Sequence, residues 1–440
     1  MPFNRKLKVI LDPVKRAEYR MREERKVKVL TSILERKERA LDAHKKALDN
    51  PQLKIPSEVE LSPEYIQEVG KQIRNNDIFA DFYYQLYETS NDYIVDENGE
   101  VNKTNFRSTL LNNSYNIRNC GKSWFFDHYG MQQVYDLKNV YYCHDKFCLH
   151  CQKLLQATRL QKYSPLIEDL LEQGKYLYHV TLTIPNTTVF TRKIVKRLFD
   201  NFKRLIRYFS ADAKNALGWS NYGFIGAIRS FEVTYDPVSY HPHIHSVIAL
   251  DNPLPDDACL LNKYSYKKEN GKWVFDRLFT EFEVSLQKVW RLLYEGQKVT
   301  LKNVDALDLG YSATVDKIDN GNYYEIFKYT IKLQKSDDDD FAMTFENFKT
   351  LYYALHSTHI FQGYGIFYSV KCDTIDETLS EKYDYIVAQL QLIEKPLMTS
   401  LPIEDIALKM LSSPETKFIS RKTIYKFLRE HPEFLTEKTV

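Results

Sequence analysis

The chain has 440 residues, 43% hydrophobic, 27% charged and 14% aromatic, enough to bury at least one full core and, by length, to form two or three folded units. A formal net charge of only +2 excludes bulk charge as an argument for nucleic-acid binding, so any basic surface has to be found locally. Six cysteines in so long a chain are not a disulfide scaffold, and no uncharged apolar run approaches the roughly 18 residues of a membrane span.

In chain order, residues 1–64 read as a charged helical arm ending in a linker. The start, MPFNRKLKVILDPVKR, carries charges where a signal peptide would be apolar, so a cytoplasmic location is expected. The first fifty residues hold fifteen Lys/Arg against eight Asp/Glu, and Arg16 to Leu48 contains no Pro or Gly, which predicts one or two helices. They form either a solvated arm or one that touches DNA or a partner. PQLKIPSEVELSP then supplies three prolines and predicts the linker. Residues 65–114 are polar and Asn/Tyr-rich, with the turn DENGEVN, and suggest no chemistry.

Residues 115–170 are Cys-rich. Cys143-x4-Cys148-x2-Cys151, with Cys120 upstream, offers four thiolates for a structural Zn²⁺. Buried free thiols, or a mixed site using His144 or His150, are the alternatives. Cys259 and Cys372 are isolated and read as core or surface thiols.

Residues 171–370 carry the strongest pattern. YLYHVTLTIP predicts a strand ending at Pro185. In the helix expected over Thr191 to Phe209, Leu198, Phe202, Leu205, Ile206 and Phe209 share one face. Lys193, Lys196, Lys203, Arg204 and Arg207 lie largely on the other, as a solvated face or a track for a phosphate backbone. Strands over Phe224 to Tyr235 and Pro242 to Leu250, joined by a turn around Asp236 and Pro237, predict a hairpin, and helices follow over Phe279 to Tyr294 and Asn322 to Leu333. The order suggests a ferredoxin-like α+β unit, an antiparallel sheet with helices on one face.

Within HPHIH, His243 and His245 share a strand face, and folding the hairpin about Val238 sets Glu232 opposite them. Two imidazoles and one carboxylate leave positions open on a catalytic divalent ion; satisfied histidines on a partly exposed strand are the alternative. In YYEIFKYTIK, helical spacing puts Glu325, Tyr329 and Lys332 on one face and Tyr323, Phe327 and Ile331 on the buried one. An outward Tyr329 could attack a phosphate and Glu325 could activate a water; a surface Glu/Lys pair on a Tyr-rich helix is the plainer reading. Asp337 to Asp340 reads as a solvated loop.

Residues 371–440 read as helical. EDIALKMLSSPETKFISRKTIYKFLREHP suggests two helices about a Ser-Pro turn, with Ser420 as N-cap for Arg421 to Leu428. Either a helix-turn-helix brings Arg421, Lys422 and Lys426 to DNA, or these are an ordinary helical pair.

The succession TLTIPN, FEVTY, HPHIH and E-x-x-x-Y-x-x-K resembles the plasmid rolling-circle replication initiators of the HUH endonuclease superfamily, over roughly residues 115 to 370. The resemblance implies Mn²⁺ or Mg²⁺ on His243, His245 and Glu232, with His241 as a further ligand, a hydrogen-bond donor to one, or only the start of the strand. It also implies Tyr329 as nucleophile, Glu325 as the base of a terminating cleavage and Lys332 as the lysine following the tyrosine. The implied activity is nicking and joining of one strand at an origin through a 5′-phosphotyrosine link. The implied partners are plasmid origin DNA, both its double-stranded site and the single-stranded nick region, and host replication proteins such as a helicase, with no membrane. Cys143, Cys148 and Cys151 resemble the family's Cys-rich stretch, which commonly has Pro before the last Cys and Trp-Arg after it; here stand Leu149, His150, Gln152 and Lys153. The alternatives are a single-Tyr transposase or relaxase, or a catalytically silent DNA-binding accessory protein.

Overall fold

The structure, a computed structural model, describes residues 27, 30–31, 34–48, 60–91, 93–95, 101–103, 105–210, 217–235, 239–257, 264–269, 272–318, 323, 327, 343–368, 370, 377–431 and 434. The chain divides into two compact units, one of Gln72–Cys120 and Tyr142–Asp373, the other of Met1–Lys71, Gly121–Tyr141 and Thr374–Val440.

The first unit contains, in order, helices α1 (Asn76–Thr89), α2 (Phe106–Asn119) and α3 (Leu149–Glu172), strand β1 (Tyr176–Thr183), helix α4 (Arg192–Arg207), strands β2 (Phe224–Tyr235) and β3 (Tyr240–Leu250), helix α5 (Glu281–Glu295), strand β4 (Ala313–Lys317), helix α6 (Phe345–Leu355) and strand β5 (Phe361–Gly365). The sheet order is β4-β1-β3-β2-β5, and every neighbouring pair is antiparallel. The succession β1-α4-β2-β3-α5-β4 in this order is the expected ferredoxin-like α+β arrangement, with β5 added beside β2. Gly365 ends β5 with φ 59°, and a Cβ there would stand 2.4 Å from the Ile225 carbonyl oxygen, so the return of β5 over β2 requires glycine.

Strand alternation gives the sheet two unlike faces. Val180 and Leu182 of β1, Phe231 and Val233 of β2, and Ile244 and Ile248 of β3 bury against Leu198, Phe202 and Leu205 of α4 and Val289 and Trp290 of α5. The five apolar positions expected on one face of α4 are all buried. α5 starts at Glu281 because Thr280 and Glu283 close a capping box there.

Helices cover both faces, not one as expected. Leu177, Ile228, Val247 and Ala249 have the opposite parity and form a second core with Tyr163, Ile167 and Leu170 of α3 and with Tyr323, Phe327 and Phe367. The α3 stripe, at spacings of four and three, is masked in the sequence by polar neighbours and by Pro165 inside the helix. Of the helix expected over Asn322 to Leu333, only Tyr323 and Phe327 are described; Glu325, Tyr329, Ile331 and Lys332 lie outside the described residues, as do Asp236 to Val238, Cys259, Asp337 to Asp340 and Cys372.

The second unit holds a four-stranded sheet in the order Leu397–Pro402, Ser123–Tyr129, Val134–Val140, Lys417–Ser420, antiparallel except for the parallel last pair. Helices Glu377–Ile393 and Arg421–Glu430 bury Leu379, Tyr383, Ile386, Leu390, Ile424 and Phe427 with Tyr129 and Val134. Helical residues 34–48, from the expected arm, contribute Ala43 and Ala47 against Ala388. The carboxylate of the fully buried Asp136 accepts from the Tyr383 hydroxyl at 2.9 Å and from the Lys138 ammonium.

This corrects two expectations. Residues 121–141 do not fold with the Cys-rich segment, because their two strands pair with strands beyond residue 396. The C-terminal region is not purely helical, since strand Lys417–Ser420 separates helices Ile403–Ser412 and Arg421–Glu430 and makes the segment helix-strand-helix instead of helix-turn-helix. Phe418 and Ile419, both buried, drive that pairing. Ser420 is the N-cap, as expected, in a capping box with Thr423.

Candidate functional site

The β2–β3 hairpin sets Glu232 directly across from His243, Ser230 across from His245 and Thr234 across from His241. On the other side of β3, β1 sets Thr181 across from His245 and Thr183 across from His243. All share the parity of Leu177, Ile228 and Val247, so the histidines occupy the face that carries the α3 core, farther along the same strands. The opposite parity of β3, Ile244 and Ile248, anchors in the α4–α5 core and fixes which way the imidazoles point.

The Glu232 Oε2 lies 3.2 Å from His245 Nε2, with side-chain exposures of 8% for the carboxylate and 21% for the imidazole, so the contact is shielded yet reachable. Cis ligands on an octahedral ion at about 2.1 Å stand about 3 Å apart. The Glu232–His245 edge therefore has the spacing of two neighbouring ligands of one divalent ion. The rings of His243 and His245 are 6.3 Å apart between centroids. Among the described residues the ligand atoms of Glu232, His243 and His245 are not all within 4.8 Å of one another, so the structure joins Glu232 to His245 more closely than it gathers the three. His241 is on the same face, its Nε2 3.4 Å from Ser239 Oγ.

One member of this face was missed in the sequence. His179 Nε2 lies 3.3 Å from His245 Nδ1, and Thr181 Oγ1 is 3.4 Å from the same nitrogen. The signal was parity: in YLYHVTLT, His179 precedes Thr181 by two and must share its face.

The four thiols do gather. Cys120, Cys143, Cys148 and Cys151 place their sulfurs within 4.8 Å of one another, with Cys120–Cys151 at 3.4 Å, Cys120–Cys148 at 3.6 Å and Cys143–Cys151 at 3.7 Å. Tetrahedral Zn–S bonds of about 2.3 Å put sulfurs about 3.8 Å apart, so the set could hold a metal such as zinc. His144 adopts φ 54°, and this left-handed turn brings its N–H to Cys151 Sγ at 3.3 Å and that of Asp145 to Cys143 Sγ at 3.4 Å. Thiol hydrogen bonds from Cys120 and Cys143, aided by the His144 N–H, push the Cys151 pKa down. Cys148 caps α3 and Cys151 lies in its first turn, where the helix dipole also favours thiolate. His150 Nδ1 is 2.8 Å from Gln72 Oε1, and no histidine joins the four thiols. Asp145 braces the turn, accepting from Phe147 N at 2.8 Å and Tyr83 Oη at 2.7 Å; burial pushes its pKa up to about 6.

The residues expected at DNA fall in both units. Lys193, Lys196, Arg204 and Arg207 are exposed on α4, which covers the sheet face opposite the histidines. Arg421 is engaged in its own unit, 3.5 Å from Asp384 and stacked over the Tyr383 ring, and Lys422 lies over Tyr65. No described helix is long and apolar enough to cross a membrane.

No curated protein and no solved structure matches the chain significantly. Residues 134–255 match the family model Rep_1, replication protein, a segment that includes Cys143, Cys148, Cys151, His179, Glu232 and HPHIH. A replication protein family implies DNA binding. The match covers less than a third of the chain; that segment is similar to the replication proteins, which supports a plasmid replication initiator.

Proposed function

We propose that the chain is an HUH-type nickase that cuts and rejoins one strand at a plasmid origin. The observation that carries this reading is the register that sets Glu232 across from His243 and against His245 on one sheet face, within the segment matching the replication proteins. A divalent ion, Mn²⁺ or Mg²⁺, would be held by Glu232, His243 and His245 and, when bound, supplies polarisation of the scissile phosphate. The Tyr329 oxygen attacks the phosphorus and gives up its proton to solvent; the phosphorus–O3′ bond breaks, the 3′ oxygen takes a proton from solvent and leaves as a hydroxyl, and the tyrosine stays esterified to the 5′ phosphate. Glu325 accepts a proton from the water of a terminating cleavage, and Lys332 offers positive charge near the nucleophile.

The four thiols bind Zn²⁺ as a structural site at the base of α3. Origin DNA, single-stranded at the nick, is the substrate, and host replication proteins extend the 3′ hydroxyl. In a nicking assay on a single-stranded origin oligonucleotide with Mn²⁺, Tyr329→Phe is expected to form no covalent adduct while binding the oligonucleotide normally. Adducts at the level of the unmodified chain would refute the nucleophile assignment.

A further inference from the structure

His179 stands outside every motif that suggested the function, yet its ring lies nearer to His245 than that of His243 does. Their nitrogens are 3.3 Å apart while the ring planes differ by 19° and the centroids lie 5.5 Å apart. Nearly coplanar rings at that separation meet edge to edge through their nitrogens, the geometry of a hydrogen bond and not of a face-to-face stack. On the far side of His179, β4 places Asp316 as its directly paired residue. Asp316, His179, His245 and Glu232 thus lie on four adjacent strands, β4-β1-β3-β2, on one face, Asp316 and His179 directly paired and the other two steps diagonal.

We propose that His179 is a positioning residue for the metal ligand His245, with Asp316 behind it. The inference rests on the metal reading of the histidine face. A neutral imidazole presents a lone pair at Nε2 only when its proton sits on Nδ1, and that proton needs an acceptor. The Thr181 hydroxyl beside His245 Nδ1 can donate as readily as accept, and donating would select the tautomer that cannot bind metal. His179 decides the matter when its own proton is on Nδ1, since its Nε2 can then only accept, and the carboxylate of Asp316, paired with it on β4, would favour that tautomer by accepting the proton. The set converts an acid on β4 into an oriented Nε2 on β3.

The test is Mn²⁺ titration by calorimetry of the full chain and its variants, with thermal melting of each metal-free protein alongside. His179→Phe keeps a ring and removes the acceptor; it is expected to raise the Mn²⁺ Kd by about tenfold to a hundredfold. His179→Gln, whose amide oxygen can accept the Nδ1 proton, is expected to stay within about threefold of the unmodified chain. Asp316→Ala, at an exposed position, shifts the Kd in the same direction as His179→Phe and serves if the latter folds poorly. The proposal is overturned if the unmodified chain binds Mn²⁺ and both His179→Phe and Asp316→Ala bind it equally well. It is equally overturned if His179→Phe and His179→Gln lose affinity and metal-free melting temperature together, the mark of a packing role. Failure of the underlying metal reading looks different: the unmodified chain and a His243→Ala, His245→Ala variant would then show the same Mn²⁺ isotherm.

Discussion

Glu232 is a carboxylate carried into near-complete burial in the middle of a twelve-residue strand, where a hydrophobic residue would cost nothing. Its Oε2 meets a nitrogen of His245 at 3.2 Å, and burying a carboxylate carries a desolvation cost that an amide of the same shape avoids. On the proposed metal reading, a cation bound beside Glu232 would stabilise that buried charge. Glu232→Gln should therefore move two quantities in opposite senses: Mn²⁺ affinity falls about tenfold or more, while the metal-free melting temperature stays level or rises. Calorimetry and thermal melting of the same preparations read both, and a loss of stability without a loss of affinity would reduce Glu232 to a structural role.

At the scale of elements, the cysteine turn joins the end of α2 to the start of α3, and its four sulfurs are buried or half-buried with no disulfide among them. A bound metal would stabilise that junction directly, because the ligand set does not exist in the unfolded chain. The expected outcome is about one zinc per chain by elemental analysis, with a strong chelator or Cys148→Ser lowering the melting temperature and loosening amide protection at 143–151. A metal-free chain with full protection there would reduce the four thiols to core packing. This site was legible in the sequence because Cys-x4-Cys-x2-Cys encodes a tight turn feeding a helix, and local geometry needs few partners. The hairpin was legible for a similar reason: a short connection fixes the register, so pairing Tyr235 with Tyr240 also fixes Glu232 opposite His243. His179 was not, because its partner lies on a strand brought alongside by the α4 crossover, and a lone histidine on an apolar strand gives no sign of what it will meet.

At the scale of the whole molecule, the second unit is assembled from distant stretches, and no local pattern announced it. Strands Ser123–Tyr129 and Val134–Val140 form a hairpin whose two outer edges are completed by Leu397–Pro402 and Lys417–Ser420. The buried Asp136 and Tyr383 are likewise joined across the chain. A two-stranded hairpin is marginal in water, and this one displays Trp124, Phe126 and Tyr129, all buried in the native fold. A chain ending at Asp373 should therefore lose the sheet of this unit while keeping β1 to β3, whose neighbours all lie before that point. Hydrogen exchange is expected to show fast amides throughout 123–140 and retained protection in β1, β2 and β3. Adding residues 374–440 as a separate polypeptide should restore protection to the hairpin, because the missing strands, and not the covalent connection, are what stabilise it. Protection of 123–140 in the truncated chain without that addition would mean that the hairpin is held by contacts other than the sheet.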